Sequence, residues 1–233
     1  MADLFLELFS EEIPARLQLA AEENLKKLVG DQLLRFKSNF EAIESFSTPR
    51  RLILVVKGLS EKTAPELDEK RGPNIAAPKA AVEGFCKSMK IDQSQLFIKE
   101  EKKGKFYYVR RERASQSNSD LLPEILSQVV KGFPWPKSMR WGSGNFKWVR
   151  PLSSVVCLLY DDEESKILPL EFNGIHSSNV SAGHRFLSPS NFSVSSYEDY
   201  QEKMRHRYVI LDRQKRKEKI WKEASNIAFA VGL

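Results

Sequence analysis

Five short clusters hold an arginine between proline, glycine or an aromatic residue. They are Thr48-Pro49-Arg50-Arg51-Leu52, Lys70-Arg71-Gly72-Pro73, Met139-Arg140-Trp141-Gly142, Phe146-Lys147-Trp148-Val149-Arg150-Pro151 and Gly183-His184-Arg185-Phe186. Proline and glycine restrict the local backbone, which can hold a guanidinium ready for a phosphate or a carboxylate. Each cluster has two readings: an arginine presented to a polyanion, or an arginine paired with a carboxylate inside the fold. Arg50, Arg51, Arg71, Arg140, Lys147, Arg150 and Arg185 are the candidates for contact with a polyanion's phosphates, with Trp141 a candidate to stack on a planar ring. His184 is the one histidine inside such a cluster. It is a candidate phosphate contact, or a structural hydrogen-bonding partner of the backbone.

The distribution of charge singles out one stretch. No Asp or Glu occurs between Ile125 and Tyr160, where the chain average would place about five. The stretch carries Lys131, Lys137, Arg140, Lys147 and Arg150, with Trp135, Trp141 and Trp148 between them. Cations supply phosphate contacts and aromatic faces stack on unpaired bases. The competing reading makes the tryptophans core and the cations a solvated rim.

Catalytic chemistry has no such support. There is no Gly-x-x-x-x-Gly-Lys-Ser/Thr loop and no Gly-x-Gly-x-x-Gly fingerprint. His176, His184 and His206 stand far apart, and neither Cys86 nor Cys157 sits in a metal-like cluster, so no metal site is expected. Glu11 and Glu12 have the form of an acid pair, but a helix start just after Pro14 explains them through the favourable field of its N-terminus. No nucleophile–base pair is recognisable, and no catalytic residue is assigned.

The elements that must position these residues follow from periodicity. Leu4 to Phe9 has apolar residues on both faces, which predicts a central strand. A helix is expected from Ala15 to about residue 36, with Leu17, Ala21, Leu25, Leu28, Val29, Leu33 and Phe36 at three-to-four spacing. Arg51 to Lys57 is a β run, Ala80 to Met89 a short helix, and Gln95–Lys99 with Lys105–Arg111 a hairpin turning around Gly104. A helix over Leu121 to Val130 is stopped by Phe133-Pro134-Trp135-Pro136. Ser153–Tyr160 and Ile167–Phe172 read as paired strands around Asp161-Asp162-Glu163-Glu164. Ser195 to Glu198 has capping-box spacing for a helix through about Arg205. Tyr208 to Leu211 reads as a short strand, and Asp212 as the N-cap of a last helix.

That last helix places Ile220, Ala224, Ile227 and Val231 on one face, and its pattern is still running at Leu233, as in a piece of a longer protein. The basic run Arg205 to Lys222 then belongs to an amphipathic helix docked on a further domain, or to a direct RNA contact. Hairpins outnumber crossovers, so the expected class is α+β, with mixed or antiparallel sheets and flanking helices in two subdomains. The expected division is residues 1–115, then 121–211 with the basic and aromatic segment, then 212–233 as the start of a helix.

Composition agrees with a soluble globular protein: 233 residues, 41% hydrophobic and 29% charged. No apolar run approaches a membrane span, and Met1-Ala2-Asp3-Leu4-Phe5 lacks a cationic leader. Two isolated cysteines without a leader suit a reducing cytoplasm. The net charge of +6 and pI near 9.2 favour polyanionic partners without naming one.

In this order the clusters resemble a known family. The opening LFLELFSEEIPAR, TPRRL before a β run, KRGP, the KAAVEGFCKS helix, MRWG, FKWVRP and GHRF together are similar to the start of the β subunit of bacterial glycyl-tRNA synthetase. The resemblance runs over essentially all of residues 1–233, and the ordered series carries it rather than any single motif. It implies an α2β2 enzyme that joins glycine to tRNA-Gly at the expense of ATP. The catalytic core, with its ATP, Mg and glycine sites, then belongs to the α subunit, and this chain holds no cofactor. The implied partners are the α subunit and tRNA-Gly, with no DNA and no membrane, in the cytoplasm. The implied role is tRNA positioning and subunit assembly, the alternative being a structural interaction module with RNA contacts elsewhere.

Overall fold

The computed structural model describes residues 1–101, 104–113 and 115–232, with side chains throughout except at 66–68 and 111–113. In chain order the first elements are β1 (Ala2–Ser10), α1 (Ala15–Arg35), β2 (Ala42–Thr48), β3 (Arg51–Leu59), β4 (Glu66–Asn74), α2 (Lys79–Met89), β5 (Leu96–Glu101) and β6 (Gly104–Arg113). Then come α3 (Asn118–Lys131), β7 (Met139–Arg140), β8 (Lys147–Trp148), β9 (Leu152–Tyr160), β10 (Ser165–Ile167), β11 (Glu171–Phe172) and β12 (Ile175–Ser178). The last are β13 (Val180–Ala182), β14 (Asn191–Ser193), α4 (Tyr197–His206) and α5 (Arg213–Ala230). Helices and mixed sheets make this an α+β protein, as expected.

The chain divides into two units, residues 1–63 with 117–233, and residues 64–116. This differs from the linear division drawn from the sequence. The physical reason is that β1 lies between β3 and β9, so the first strand needs a partner from beyond residue 150. Residues 64–116 form an insertion between two parts of one sheet.

In the larger unit the sheet runs β11-β12-β9-β1-β3-β2, with β10 also on β9; β12 is parallel to β9 and the other pairs are antiparallel. Alternate residues of β1 explain the double-sided burial. Leu4, Leu6 and Leu8 pack with Leu25, Val29 and Leu33 of α1 and Leu122, Ile125 and Leu126 of α3. Phe5 packs on the opposite face with Ile53, Val55, Tyr197, Tyr200 and Met204, against α4. Gly58 sits at φ +64°, where a β-carbon would meet Glu41, and its N–H donates to the Asp3 carboxylate at 2.8 Å.

In the smaller unit β4, β6 and β5 form an antiparallel sheet in that order. Val82 and Cys86 of α2 are buried, and Gly72 of β4 lies where a β-carbon would strike the Phe85 ring. Strand β4 escaped the sequence reading because it is charged and holds Pro73, which an edge strand tolerates. Strand β2 escaped it for a similar reason, being an edge strand of largely polar residues.

Three local expectations shift. Tyr208 to Leu211 is not a strand: Tyr208 takes φ +60° and the Val209 N–H closes back on the Met204 carbonyl, ending α4. The N-cap of α4 is Ser196, whose hydroxyl accepts from the Asp199 N–H at 3.1 Å, while Asp199 accepts from the Ser195 N–H. Strand Ile167–Phe172 splits, residues 165–167 pairing with β9 and 171–172 with β12. The expected Lys102-Lys103 turn lies outside the described residues, although β5 and β6 pair as a hairpin.

Asp212 does cap α5, accepting from the Lys215 N–H at 2.9 Å. Arg213 pairs with Glu22 at 3.2 Å, and Arg216 donates to the Ile210 and Leu211 carbonyls and to Ser47. Two cations of the basic run therefore serve the fold. Most of the rest of α5 is exposed, including Ile220, Trp221, Ile227 and Phe229. No helix among the described residues is long and apolar enough to cross a membrane.

Candidate nucleic-acid interface

Three of the sequence clusters meet at the end of the central strand. The Ser10 N–H donates to the Arg50 carbonyl at 2.8 Å, the Glu11 N–H to the Pro151 carbonyl at 2.9 Å, and the Ile13 N–H to the Pro49 carbonyl. These bonds staple the Thr48–Arg50 turn and the Arg150-Pro151 corner to the segment that follows β1. The residues after β13 complete the assembly. Gly183 is needed there because a β-carbon would lie 2.6 Å from the Ser188 carbonyl and 2.8 Å from Arg207.

The centre of this assembly is a buried ion pair. Glu7 is fully buried and Arg51 is 4% exposed. Arg51 Nε donates to Glu7 Oε1 at 2.8 Å, the Tyr200 hydroxyl donates to the same oxygen at 2.6 Å, and the Ser181 hydroxyl donates to Oε2 at 2.6 Å. Arg51 Nη2 donates to the Ala182 carbonyl and, at 3.2 Å, to the Gly183 carbonyl. Its guanidinium lies 4.4 Å from the centre of the Phe9 ring. Burial pushes the Tyr200 hydroxyl well above its ordinary pKa, and the Glu7 charge adds to the rise. A group so enclosed cannot reach RNA, so Arg51 is removed from the candidate contacts.

Above it lies a more open pair of ion pairs. Glu11 accepts from Arg50 Nη2 at 3.2 Å and from Arg185 Nη2 at 2.9 Å. Burial lowers the Arg50 pKa, Glu11 opposes the fall, and Arg185 and Arg51 add to it. His184 Nδ1 accepts from the Phe186 and Leu187 N–H groups, each at 3.2 Å, so the ring organises its own loop. Phe186 and Leu187 are left exposed at the loop tip. Arg150 Nη1 donates to the Val149 carbonyl at 2.8 Å.

The remaining cluster in this unit is built differently. β7 and β8 pair Met139 with Trp148 and Arg140 with Lys147. Alternation sends Trp148 into the core at 0% exposure, while Arg140 and Lys147 stand exposed. Phe146 holds the connection down, meeting the rings of Trp141, Trp148 and Phe172 at 5.5, 6.1 and 5.3 Å. Trp135 packs edge-on to Trp148 at 5.0 Å. Asn173 donates to the Trp141 carbonyl at 3.2 Å. Trp148 is therefore core, and Trp135 and Trp141 are half-buried against it.

Lys131, Lys137, Arg140 and Lys147 are all exposed, and none forms a salt bridge among the described residues. Two like charges directly opposed across a hairpin repel. The acid-free stretch thus exposes four cations without an ion-pair partner among the described residues, two of them opposed across the hairpin. Arg71 lies in the other unit, on β4, paired with Glu101 at 3.3 Å and stacked 3.7 Å from the centre of the Phe106 ring.

No group of three or more His, Cys, Asp or Glu able to hold a metal occurs among the described residues. Burial raises the pKa of Cys157 well above its ordinary value, which leaves it inert. Sequence reasoning missed Glu7, Glu11 and Tyr200 as partners of the arginines, because acids and hydroxyls distant in sequence carry no sign of where they will land.

Comparison with known proteins places this arrangement. The glycyl-tRNA synthetase beta subunit family matches residues 4–233. Relatives described as glycine–tRNA ligase beta subunit include those of Cereibacter sphaeroides, 45% identical over 233 residues, and Ruegeria sp., 42% identical over 233 residues. That of Paracoccus denitrificans is 44% identical over 232 residues. The alignments cover 100% of this chain but 33 to 34% of the relatives, so the chain spans about a third of their length. The chain belongs to the glycyl-tRNA synthetase beta subunit family.

Proposed function

We propose that this chain forms the N-terminal part of the β subunit of a cytoplasmic glycine–tRNA ligase, and that it positions tRNA-Gly. A partner α subunit, using ATP with Mg, performs the glycylation. The observation that carries the positioning role is the Arg140–Lys147 cross-strand pair, exposed, like-charged and free of carboxylate partners among the described residues. A phosphate backbone relieves that repulsion on binding. Such contacts fix orientation without reading bases, which suits a surface whose tryptophans are turned inward.

The test uses full-length β assembled with α, carrying Arg140→Glu and Lys147→Glu. The expected result is weaker tRNA-Gly binding with a shallower salt dependence and a raised KM for tRNA. Unchanged charging and binding by the folded double variant would overturn the assignment.

A second reading has its own support. Arg50, Arg51 and Arg185 are engaged by Glu7 and Glu11, as in a module built for stability and assembly. Under that reading, deleting residues 1–233 disrupts the α–β assembly, while the double reversal leaves tRNA affinity intact.

A further inference from the structure

The smaller unit carries a second, differently built surface. Its sequence from 64 to 116 holds twelve Lys or Arg against eight Asp or Glu, a net +4 of the whole chain's +6. Register decides what this charge surrounds. Arg71, Tyr108 and Phe97 align across β4, β6 and β5; Glu69 aligns with Arg110, and Phe106 with Lys99. Alternation places all seven of these and Glu101 within one face. The opposite face holds Gly72, against Phe85 of α2, and the buried Val109.

On that face each ring, the partly buried Phe97 and Phe106 and the buried Tyr108 at 7% exposure, carries a cation. Arg71 lies 3.7 Å from the centre of the Phe106 ring, Arg110 4.8 Å from Phe97, and Lys99 5.5 Å from Tyr108. Phe97 and Tyr108 are neighbours at 5.9 Å. The three cations are 45, 62 and 55% exposed for Arg71, Arg110 and Lys99. Two acids share the face. Glu69 accepts from Lys99 at 2.9 Å and Arg110 at 3.1 Å, and Glu101 from Arg71 at 3.3 Å and from the Tyr108 hydroxyl. Ion pairs this exposed are weak and open readily to a competing phosphate.

We infer that this sheet face is a binding platform for unpaired RNA. The Arg71–Phe106 and Arg110–Phe97 stacks, at strand spacing over the buried Tyr108, match successive splayed bases, and the three cations match the phosphates between them. A duplex buries its base faces and has no use for the rings. The inference stands on the smaller unit alone and does not depend on the role of Arg140 and Lys147.

The experiment measures binding of the full chain to labelled oligoadenylate, to oligouridylate and to an RNA duplex of equal length. The single strands are expected to bind more tightly than the duplex, with little base preference. Phe97→Leu, which keeps an apolar side chain but removes the ring face, should lower single-strand affinity about tenfold. Arg110→Lys, which keeps charge but loses the plane, should lower it less than Arg110→Ala. Photocrosslinks from a thiouridine-bearing strand should fall within residues 96–110. Equal binding of duplex and single strands, wild-type affinity in folded Phe97→Leu and Arg110→Ala, or crosslinks confined to residues 131–150 would each overturn the platform.

Discussion

The end of β1 and the β7–β8 hairpin began as the same kind of sequence, an arginine beside proline or tryptophan. Their tertiary surroundings separate them. At the strand end, Arg51 is enclosed by Glu7, two backbone carbonyls and the Phe9 ring. On the hairpin, Arg140 faces Lys147 with no carboxylate among the described residues to neutralise either. A buried cation must be paired because desolvation is so costly, whereas an exposed one can remain available. The difference teaches that the motif reports a restrained backbone, and that the nearest acid decides what the arginine does.

The contrast can be broken most forcefully at Arg51. Arg51→Ala leaves the Glu7 carboxylate buried with only two hydroxyl donors, and should lower stability by about 3–5 kcal/mol. Urea unfolding would measure this, and a loss below about 1 kcal/mol would show that the pair is not holding the core. Glu7→Gln combined with Arg51→Met should recover part of the loss.

A second test is alkaline pH. Tyr200, Tyr160 and Tyr197 all have raised pKa values, burial being the largest cause in each. Raised folded values mean that their neutral forms contribute stability fully below the unfolded tyrosine pKa of about 10. That contribution is lost as pH rises through the folded values, so stability should fall progressively above about pH 10. Denaturation midpoints across that range should decline less steeply in Tyr160→Phe, whose hydroxyl contacts Glu198 at 3.4 Å. An unchanged slope would remove Tyr160 from the account.

The hairpin should respond in the opposite currency. Arg140→Glu with Lys147→Glu should change stability by no more than about 0.5 kcal/mol, while the logarithmic salt slope for RNA falls by roughly 2. A large stability loss there would erase the distinction between the regions. A small effect on stability, with none on the salt slope, is expected at Arg185, whose pair with Glu11 is 44% exposed on both sides. Arg185→Ala should cost less than about 1 kcal/mol, and a larger unfolding penalty would place it with Arg51.

Much of this was legible in advance where periodicity or capping acts locally. The two-sided apolar run of β1, the α1 stripe at Ala21, Leu25, Val29 and Leu33, and the Asp212 cap all follow from spacing along the chain. Strand β4 was not legible, because its charges and Pro73 suit an edge and carry no apolar alternation. The strand at Tyr208 to Leu211 failed because a left-handed residue at Tyr208 is set by the end of α4 rather than by β propensity.

What the sequence determined by itself was the α+β class, the main helices and strands, the acid-free basic stretch and, through its ordered motifs, the family. Only the tertiary structure decided which arginines are free. It also decided that Trp148 is core, that residues 64–116 form a separate unit, and that Arg71, Tyr108 and Phe97 share a face. The physical reason is that periodicity is a property of neighbouring residues, whereas burial, ion pairing and strand register depend on residues far apart in the chain. Glu7 and Tyr200 meet across 193 positions, and no local pattern records such a meeting.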